Sequence, residues 1–431
     1  MNALKISRRN LIGSLGALAG SAFVPRFALA SAAAEAHFPA VTGLIDSYVG
    51  TGKLAGMIAA LGQGSSAAPL EIARGTLAKT SQMPVDMDSL FRIYSMTKPI
   101  TGMAAMMLID EGKLRLDQPI ADLIPAYGKM QVQVTPDGSI TDLRPAKTQI
   151  TVRHLLTHTA GLGYSIIQSG PIKDAYTKAG LVPGQASRIA LPGQDAFTPL
   201  SSLAEFAEAL ATMPLVYEPG STWSYSVGLD LLGRVIEIAS GQPFDEFLQE
   251  RLFAPIGMTS TWFRVPEAQA ARLTTNYAVA AGMLLPIDPG KTSIYLDQPP
   301  FPFGGAGLVS SPRDYDRFLA MLMGFGRIEG RQVMTEAAVR LGTSNLLPAG
   351  TDLSRSFIMG NGFGAGGSVG LGEDAGTFGW AGAAGTVGFI NYRTGIRAGI
   401  YTQYMPSEAY PVHREFAKAV LADVTAKKAA A

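Results

Sequence analysis

Cysteine is absent from the 431 residues of this sequence, and histidine occurs only four times. Without cysteine the chain has no disulfide, thiol nucleophile, iron–sulfur cluster or cysteine zinc site. Four histidines leave little room for a multi-histidine metal cage, so we expect no metal and no other cofactor. Basic residues number 35 against 34 acidic ones, and this balance argues against a nucleic-acid partner, which usually demands a basic excess.

The first thirty residues have the pattern of an export signal. A basic start is followed by an apolar run too short to span a membrane comfortably, and Ala28-Leu29-Ala30 has the small-x-small form of a cleavage site. Arg8 and Arg9 fit a twin-arginine signal, which is read by a receptor; an ordinary secretory signal is the alternative. We therefore predict a twin-arginine signal peptide over residues 1–30, twin-arginine export machinery as the partner of the precursor, and a periplasmic or secreted mature chain without a membrane span.

The distribution of strand-like and helix-like patterns predicts the fold. Hydrophobic residues make up 47% of the chain and charged residues 16%, so a large core can be buried. Strand-like alternation occurs near both ends, and helical periodicity fills the middle. The simplest assembly is an α+β fold, in which strands from both ends form one antiparallel sheet flanked by terminal helices. We predict an α/β domain of residues 31–113 and 286–431, a mainly helical domain of residues 114–285, and a loop over Val279–Pro302.

The strongest chemical signal is an S-x-x-K pattern at Ser95 and Lys98. Residues at i and i+3 share one face of a helix, so the two side chains can meet. Pro99 is tolerated only in a first helical turn, which places Ser95 at a helix N-terminus, where developing negative charge is stabilised. A lysine alone in an apolar segment is costly unless it has a chemical role. The pattern is typical of a serine nucleophile beside a lysine base; a capping serine beside a solvated lysine is the alternative.

Two later segments could complete such a site. A tyrosine held near a lysine ammonium loses its proton more easily, and Tyr225 lies just before an apolar helix. Trp380-Ala381-Gly382 introduces a C-terminal β-hairpin, where glycine lets the backbone of a strand approach a substrate closely. Each segment alone is also typical of core packing, so the argument depends on the ordered set.

The set Ser95-x-x-Lys98, Tyr225-Ser226-Val227 and Trp380-Ala381-Gly382 resembles the three motifs of the penicillin-recognising serine hydrolases. That superfamily includes class C β-lactamases, D,D-peptidases and family VIII carboxylesterases. Further segments, among them residues 155–162 and 304–314, are similar in the same order along almost the whole mature chain. The resemblance implies the β-lactamase/D,D-peptidase-like fold and is closest in motifs to the family VIII carboxylesterases.

The resemblance also implies a mechanism through an acyl-enzyme. Ser95 would attack the acyl carbon, and Lys98 and Tyr225 would share the general-base role before protonating the leaving group. The backbone N–H groups of Ser95 and Ala383 would form the oxyanion hole. The substrate-binding positions that the resemblance implies come from the second and third motifs: Val227, Trp380, Gly382 and Ala383.

Two departures from the superfamily pattern indicate the substrate class. β-Lactamases and D,D-peptidases usually have K-T-G or H-x-G as the third motif, whose cation meets the substrate carboxylate, but Trp380 carries no charge. They tend to have Y-x-N as the second motif, whose Asn holds the substrate amide, but Val227 cannot hydrogen-bond through its side chain. We expect a carboxylesterase on small to medium acyl esters. The alternatives are a peptidase or amidase of linear or D-residue-containing peptides, a β-lactamase and, more remotely, a non-catalytic binding or sensor protein on the same fold.

Other patterns indicate competing sites. Gly366-Gly367-Ser368-Val369-Gly370 matches G-x-S-x-G, but a nucleophile elbow needs a strand before and a helix after the serine, and this segment is glycine-rich. His154 and His158, at i and i+4, could hold a metal, but no third ligand accompanies them. The aromatic residues that could line a pocket are Tyr164, Trp223, Tyr295, Phe301, Phe303 and Trp380.

Overall fold

The computed structural model of the protein describes residues 33–182, 184–189 and 200–430. The predicted signal peptide, residues 1–30, therefore lies outside the described residues. The helices in chain order are α1 (Pro39–Val49), α2 (Thr97–Asp110), α3 (Val152–Leu156), α4 (Gly170–Lys178), α5 (Leu203–Ala211), α6 (Gly228–Ser240), α7 (Phe244–Leu248), α8 (Ala254–Ile256), α9 (Pro312–Met323), α10 (Glu336–Gly342) and α11 (Val412–Ala430).

The strands in chain order are β1 (Gly56–Gln63), β2 (Leu70–Gly75), β3 (Phe91–Arg92), β4 (Gln131–Gln133), β5 (Leu143–Pro145), β6 (Asn276–Ala280), β7 (Met283–Asp288), β8 (Val309–Ser310), β9 (Arg327–Ile328), β10 (Arg331–Gln332), β11 (Gly362–Phe363), β12 (Ser368–Val369), β13 (Thr377–Ala381), β14 (Val387–Asn391), β15 (Ile396–Tyr401) and β16 (Tyr404–Met405).

One seven-stranded antiparallel sheet forms the centre of the fold, in the order β11-β12-β13-β14-β15-β1-β2. β1, from the N-terminal part of the chain, pairs with β15, from the C-terminal part, and Ile58 lies opposite Tyr401. β1 is buried along almost its whole length, because helices cover both faces of the sheet. The prediction of an α+β fold with one sheet built from both chain ends is confirmed.

The first and last described helices, α1 and α11, lie side by side on one face of the sheet, over an apolar cluster that includes Ile45 and Ile400. The carboxylate of Asp423 in α11 accepts hydrogen bonds from the N–H groups of Ala40 and Val41, at 3.0 and 3.1 Å, so the last helix caps the first. Helix α9 packs against β14 and β15. None of the described helices is long and apolar enough to cross a membrane.

The predicted loop over Val279–Pro302 is wrong, because this segment contains regular structure. β6 and β7 form an antiparallel hairpin, and short 3-10 turns follow at Gly290–Thr292 and Ile294–Leu296. Proline and glycine suggested a loop, but Pro286 lies in β7, at the edge of the three-stranded sheet β16-β6-β7. An edge strand tolerates proline because the missing N–H is not needed by a neighbouring strand.

In the described part of the segment between α2 and β6, helices outnumber strands, and the short hairpin of β4 and β5 is the strand pair present there. The domain boundary drawn between residues 285 and 286 falls inside β7. The division into two domains stays a prediction.

A buried ion pair ties the hairpin of β6 and β7 to the strand that precedes Ser95. Arg92 in β3 is fully buried, and its Nε donates to Asp288 Oδ2 at 2.6 Å. Its Nη1 and Nη2 donate to the Thr274 carbonyl oxygen at 2.7 Å and to Ser293 Oγ at 2.9 Å. Removing one partner of such a pair leaves an unpaired buried charge and costs about 3–5 kcal/mol. The chain that leads into the site is therefore fixed in place.

Candidate active site

Ser95 lies in a short 3-10 turn, Tyr94–Met96, directly before α2. Tyr94 has φ +41°, a left-handed backbone conformation that is uncommon for a bulky side chain. Its ring packs against Tyr295, with the ring centroids 6.3 Å apart, and Asn276 Nδ2 donates to its hydroxyl oxygen at 3.2 Å. These contacts hold the turn that brings Ser95 to the start of a helix.

Ser95 Oγ is the atom at which the first two motifs meet. Tyr225 Oη donates to it at 2.8 Å, and Lys98 Nζ donates to it at 3.1 Å. Lys98 is completely buried, and its Nζ lies 4.5 Å from the centroid of the Tyr225 ring. A second hydrogen bond from Nζ goes to the carbonyl oxygen of Gly305 at 2.7 Å. The three residues that the sequence singled out thus share one hydrogen-bond network, as an activated nucleophile requires.

The third motif lies at the end of β13, next to the segment that carries Ser95. A Cβ atom on Gly382 would lie 2.3 Å from the carbonyl oxygen of Ile93, so only glycine allows this close approach. In the described part of the chain, the N–H groups of Ser95 and Ala383 donate to no carbonyl oxygen. Both are therefore free to bind an oxyanion.

Trp380 carries no charge, but it contributes a hydrogen bond to the site. Its Nε1 donates to Tyr225 Oη at 3.2 Å, so the third motif touches Tyr225 directly. Val227 is fully buried and directly precedes α6, so its side chain adds no polar group to the site.

Two buried residues near Lys98 were not predicted as site residues. Asp230 Oδ1 accepts the N–H of Gly305 at 2.8 Å, and burial raises the pKa of this carboxyl to about 6, although the charge on Lys98 opposes that rise. Asp230 could have been found from the sequence, because it is a lone charge near the start of an apolar helix. Lys98 was identified by the same kind of signal. Gly305 carries no such signal.

Aromatic rings surround Tyr225. Trp223 stacks on it with the ring centroids 6.1 Å apart, and His158 lies 4.7 Å away. Burial holds the pKa of His158 well below its usual range. Tyr164 lies 5.8 Å from Lys98 Nζ, measured to the ring centroid.

Phe357 is one of the aromatic residues around Tyr225, although nothing in the sequence indicated this position. It is 65% exposed, and its ring centroid lies 5.0 Å from that of Trp223 and 6.0 Å from that of Trp380. The other aromatics predicted for a pocket are buried in the core: Tyr295, Phe301 and Phe303.

The competing patterns do not form sites among the described residues. Ser368 lies in β12, paired with β11 and β13 inside the sheet, and not on a turn between a strand and a helix. His154 Nδ1 accepts the N–H of Thr151, and α3 ends at Leu156, before His158. No group of three potential metal ligands occurs in the described ranges.

A serine hydrogen-bonded to a lysine and a tyrosine, with two free amide N–H groups beside it, is the arrangement typical of a serine hydrolase. Residues 41–422 match the model of the beta-lactamase family. The chain therefore belongs to the beta-lactamase family, and the resemblance to penicillin-recognising serine hydrolases is confirmed.

Two relatives are similar in sequence to more than half of this chain. Protein Rv1367c of Mycobacterium tuberculosis (strain ATCC 25618 / H37Rv) is 37% identical over 322 residues, which cover 70% of this chain and 75% of that protein. Esterase EstB of Burkholderia gladioli is 31% identical over 262 residues, which cover 57% of this chain and 60% of EstB.

Solved structures agree on the fold. The hydrolase EstCE1, described as having promiscuous acyltransferase activity, superposes with a TM-score of 0.69 at 24% identity, covering 87% of this chain and 95% of its own. Simvastatin synthase of Aspergillus terreus superposes with a TM-score of 0.71 at 22% identity, covering 91% of this chain and 98% of its own. At these identities the likeness establishes the shared architecture.

Proposed function

We propose that the protein is a carboxylesterase that hydrolyses small to medium acyl esters through an acyl-enzyme on Ser95. The observation that carries the proposal is the pair of hydrogen bonds from Tyr225 Oη and Lys98 Nζ to Ser95 Oγ, at 2.8 and 3.1 Å. This geometry gives the nucleophile a path for its proton and fixes its direction of attack.

Each chemical step has a group in the site. The Tyr225 and Lys98 pair must first hold one proton fewer than a phenol and an ammonium together. Ser95 Oγ then bonds to the acyl carbon while its proton passes to this pair, and the oxyanion lies between the N–H groups of Ser95 and Ala383. The carbon–oxygen bond to the alcohol then breaks, and the pair returns the proton to the leaving oxygen. Water repeats the sequence at the acyl-enzyme and releases the acid.

The polar side chains that would favour an amide substrate are missing. Trp380 donates its only polar hydrogen to Tyr225 and offers no cation to a carboxylate. Val227 is apolar and fully buried, so its side chain cannot bind a substrate amide. An alcohol is also a better leaving group than an amine, so an ester makes the smaller demand on the site. Esterase EstB, a relative at 31% identity, supports this choice by its name.

The test is a side-by-side assay of the purified protein and its Ser95→Ala variant on p-nitrophenyl acetate, butyrate and octanoate. Loss of the nucleophile lowers kcat by several orders of magnitude in serine hydrolases, so the variant should be at least about 1,000-fold slower. Equal rates for the two proteins would refute the proposed esterase function. A chromogenic cephalosporin and a D-Ala-D-Ala peptide cleaved faster than every ester would establish the β-lactamase or peptidase instead.

A further inference from the structure

Asp230 is a buried carboxylate with one unexplained oxygen. It is 1% exposed and lies in the first turn of α6, five positions after Tyr225 in the sequence. Oδ1 accepts the N–H of Gly305 at 2.8 Å, but Oδ2 has no hydrogen-bond partner in the described part of the chain. Burying a carboxylate that is only partly hydrogen-bonded is costly, so a stability role alone does not account for it.

The peptide groups of Gly305 connect Asp230 to the nucleophile. The N–H of Gly305 is bonded to Asp230, and its carbonyl oxygen accepts Lys98 Nζ at 2.7 Å. Lys98 Nζ in turn donates to Ser95 Oγ at 3.1 Å. A Cβ atom on Gly305 would lie 2.7 Å from Asp230 Oδ2, so glycine is required for this residue to lie against the carboxylate.

We propose that Asp230 is a positioning residue, which holds Gly305 so that its carbonyl oxygen keeps Lys98 on Ser95. Among the described residues, no Asp or Glu carboxylate forms an ion pair with Lys98. Its side-chain nitrogen is therefore oriented by this carbonyl oxygen, by Ser95 and by the rings of Tyr164 and Tyr225. The proposal deepens the proposed acyl-enzyme mechanism and rests on Ser95 as its nucleophile.

The test compares Asp230→Ala, which removes the acceptor, with Asp230→Asn, whose side-chain carbonyl can still accept the Gly305 N–H. Gly305→Ala disturbs the same contact with Asp230 intact, and serves if Asp230→Ala does not fold. The matched control is Thr343→Val, because it also removes a buried hydrogen bond, from Thr343 Oγ1 to the Val339 carbonyl oxygen at 2.8 Å in α10, and does not involve the peptide between Gly304 and Gly305. Thermal unfolding of each variant confirms that it is folded.

The primary measurement is the rate at which a fluorophosphonate probe labels Ser95, read by mass spectrometry. Small misplacement of a catalytic group can cost about 100-fold, so Asp230→Ala and Gly305→Ala should label about 10- to 100-fold more slowly. On esters, kcat should fall by a similar factor with KM within about three-fold, because the ground-state contacts remain. Asp230→Asn should recover at least about half of the logarithmic loss, and Thr343→Val should stay within about three-fold of the wild type.

Three outcomes would overturn the positioning role: labelling of Asp230→Ala within two-fold of the wild type, no recovery in Asp230→Asn, or an equal loss in Thr343→Val. The probe does not depend on the ester substrate. A wild type that is labelled in an Asp230-dependent way but hydrolyses no ester would refute the proposed function and leave the positioning role standing.

Discussion

At the scale of single residues, the hydrogen bond from Trp380 Nε1 to Tyr225 Oη links the third motif to the second. We predict that Trp380→Phe, which keeps an aromatic ring and removes the donor, lowers kcat/KM on p-nitrophenyl esters. A hydrogen bond contributes about 0.5–1.5 kcal/mol net, so the loss should be roughly 2- to 13-fold. Steady-state kinetics at several pH values measures it.

Trp223 provides the matched comparison for this prediction. Like Trp380, it contacts the ring of Tyr225, but its Nε1 has no hydrogen-bond partner in the described part of the chain. Trp223→Phe should therefore reduce kcat/KM less than Trp380→Phe does. A larger reduction in Trp223→Phe would show that ring packing, and not the donor, matters at Trp380.

Site residues could be predicted from the sequence where their spacing along the chain carried the chemistry. Ser95 and Lys98 are three positions apart before a proline, so their meeting on one helical face could be expected. Asp230 could be noticed as a lone charge, but its position beside Gly305 and Lys98 could not be predicted, because Gly305 is 75 positions away in the sequence. Phe357 could not be distinguished from a core aromatic, because its exposure depends on the folded chain.

At the scale of elements, helix α3 depends on a neutral histidine at its start. Thr151 and His154 form a capping box: each side chain accepts a hydrogen bond from the backbone N–H of the other residue. Burial lowers the pKa of His154 to about 4, below the value of about 6.5 for the unfolded chain. The folded state thus binds fewer protons between these values, and its stability is fully present above about pH 6.5 and declines as the pH falls toward 4.

We predict that His154→Asn reduces this loss of stability in acid. Asparagine retains an acceptor for the Thr151 N–H but has no proton to gain, so its decline in unfolding free energy from pH 7 to pH 4.5 should be smaller by on the order of 2 kcal/mol. Urea unfolding at the two pH values measures the difference. His37→Asn is the control, because His37 is exposed. An unchanged pH dependence in His154→Asn would refute the role of this histidine.

Elements with a clear period could be predicted, and irregular ones could not. The apolar pattern over Met96–Ile109 predicts a buried helix, and α2 covers Thr97–Asp110. The hairpin of β6 and β7 was missed because its proline lies at a sheet edge, a fact that depends on which strands are neighbours. β11 and β12 have two residues each within a glycine-rich segment, so no alternation marks them.

At the scale of the whole molecule, the central sheet joins the N-terminal and C-terminal parts of the chain. Strands near both ends of the sequence predict one shared sheet, and β1 pairs with β15 over the six positions from Ile58 to Gln63. The register could not be predicted, because β1 is buried along almost its whole length and shows no alternation between an inner and an outer face.

We propose that the folded chain is delivered by the twin-arginine export machinery, from the pattern at Arg8 and Arg9. The receptor reads the arginine pair itself, so replacing both with lysine keeps the positive charge and should abolish processing and export. Cell fractionation with an antibody to the protein measures this, with Lys5→Arg as the charge-conserving control outside the pair. An ordinary secretory signal needs only a basic start and an apolar run, so undiminished export of the double variant would show that route instead.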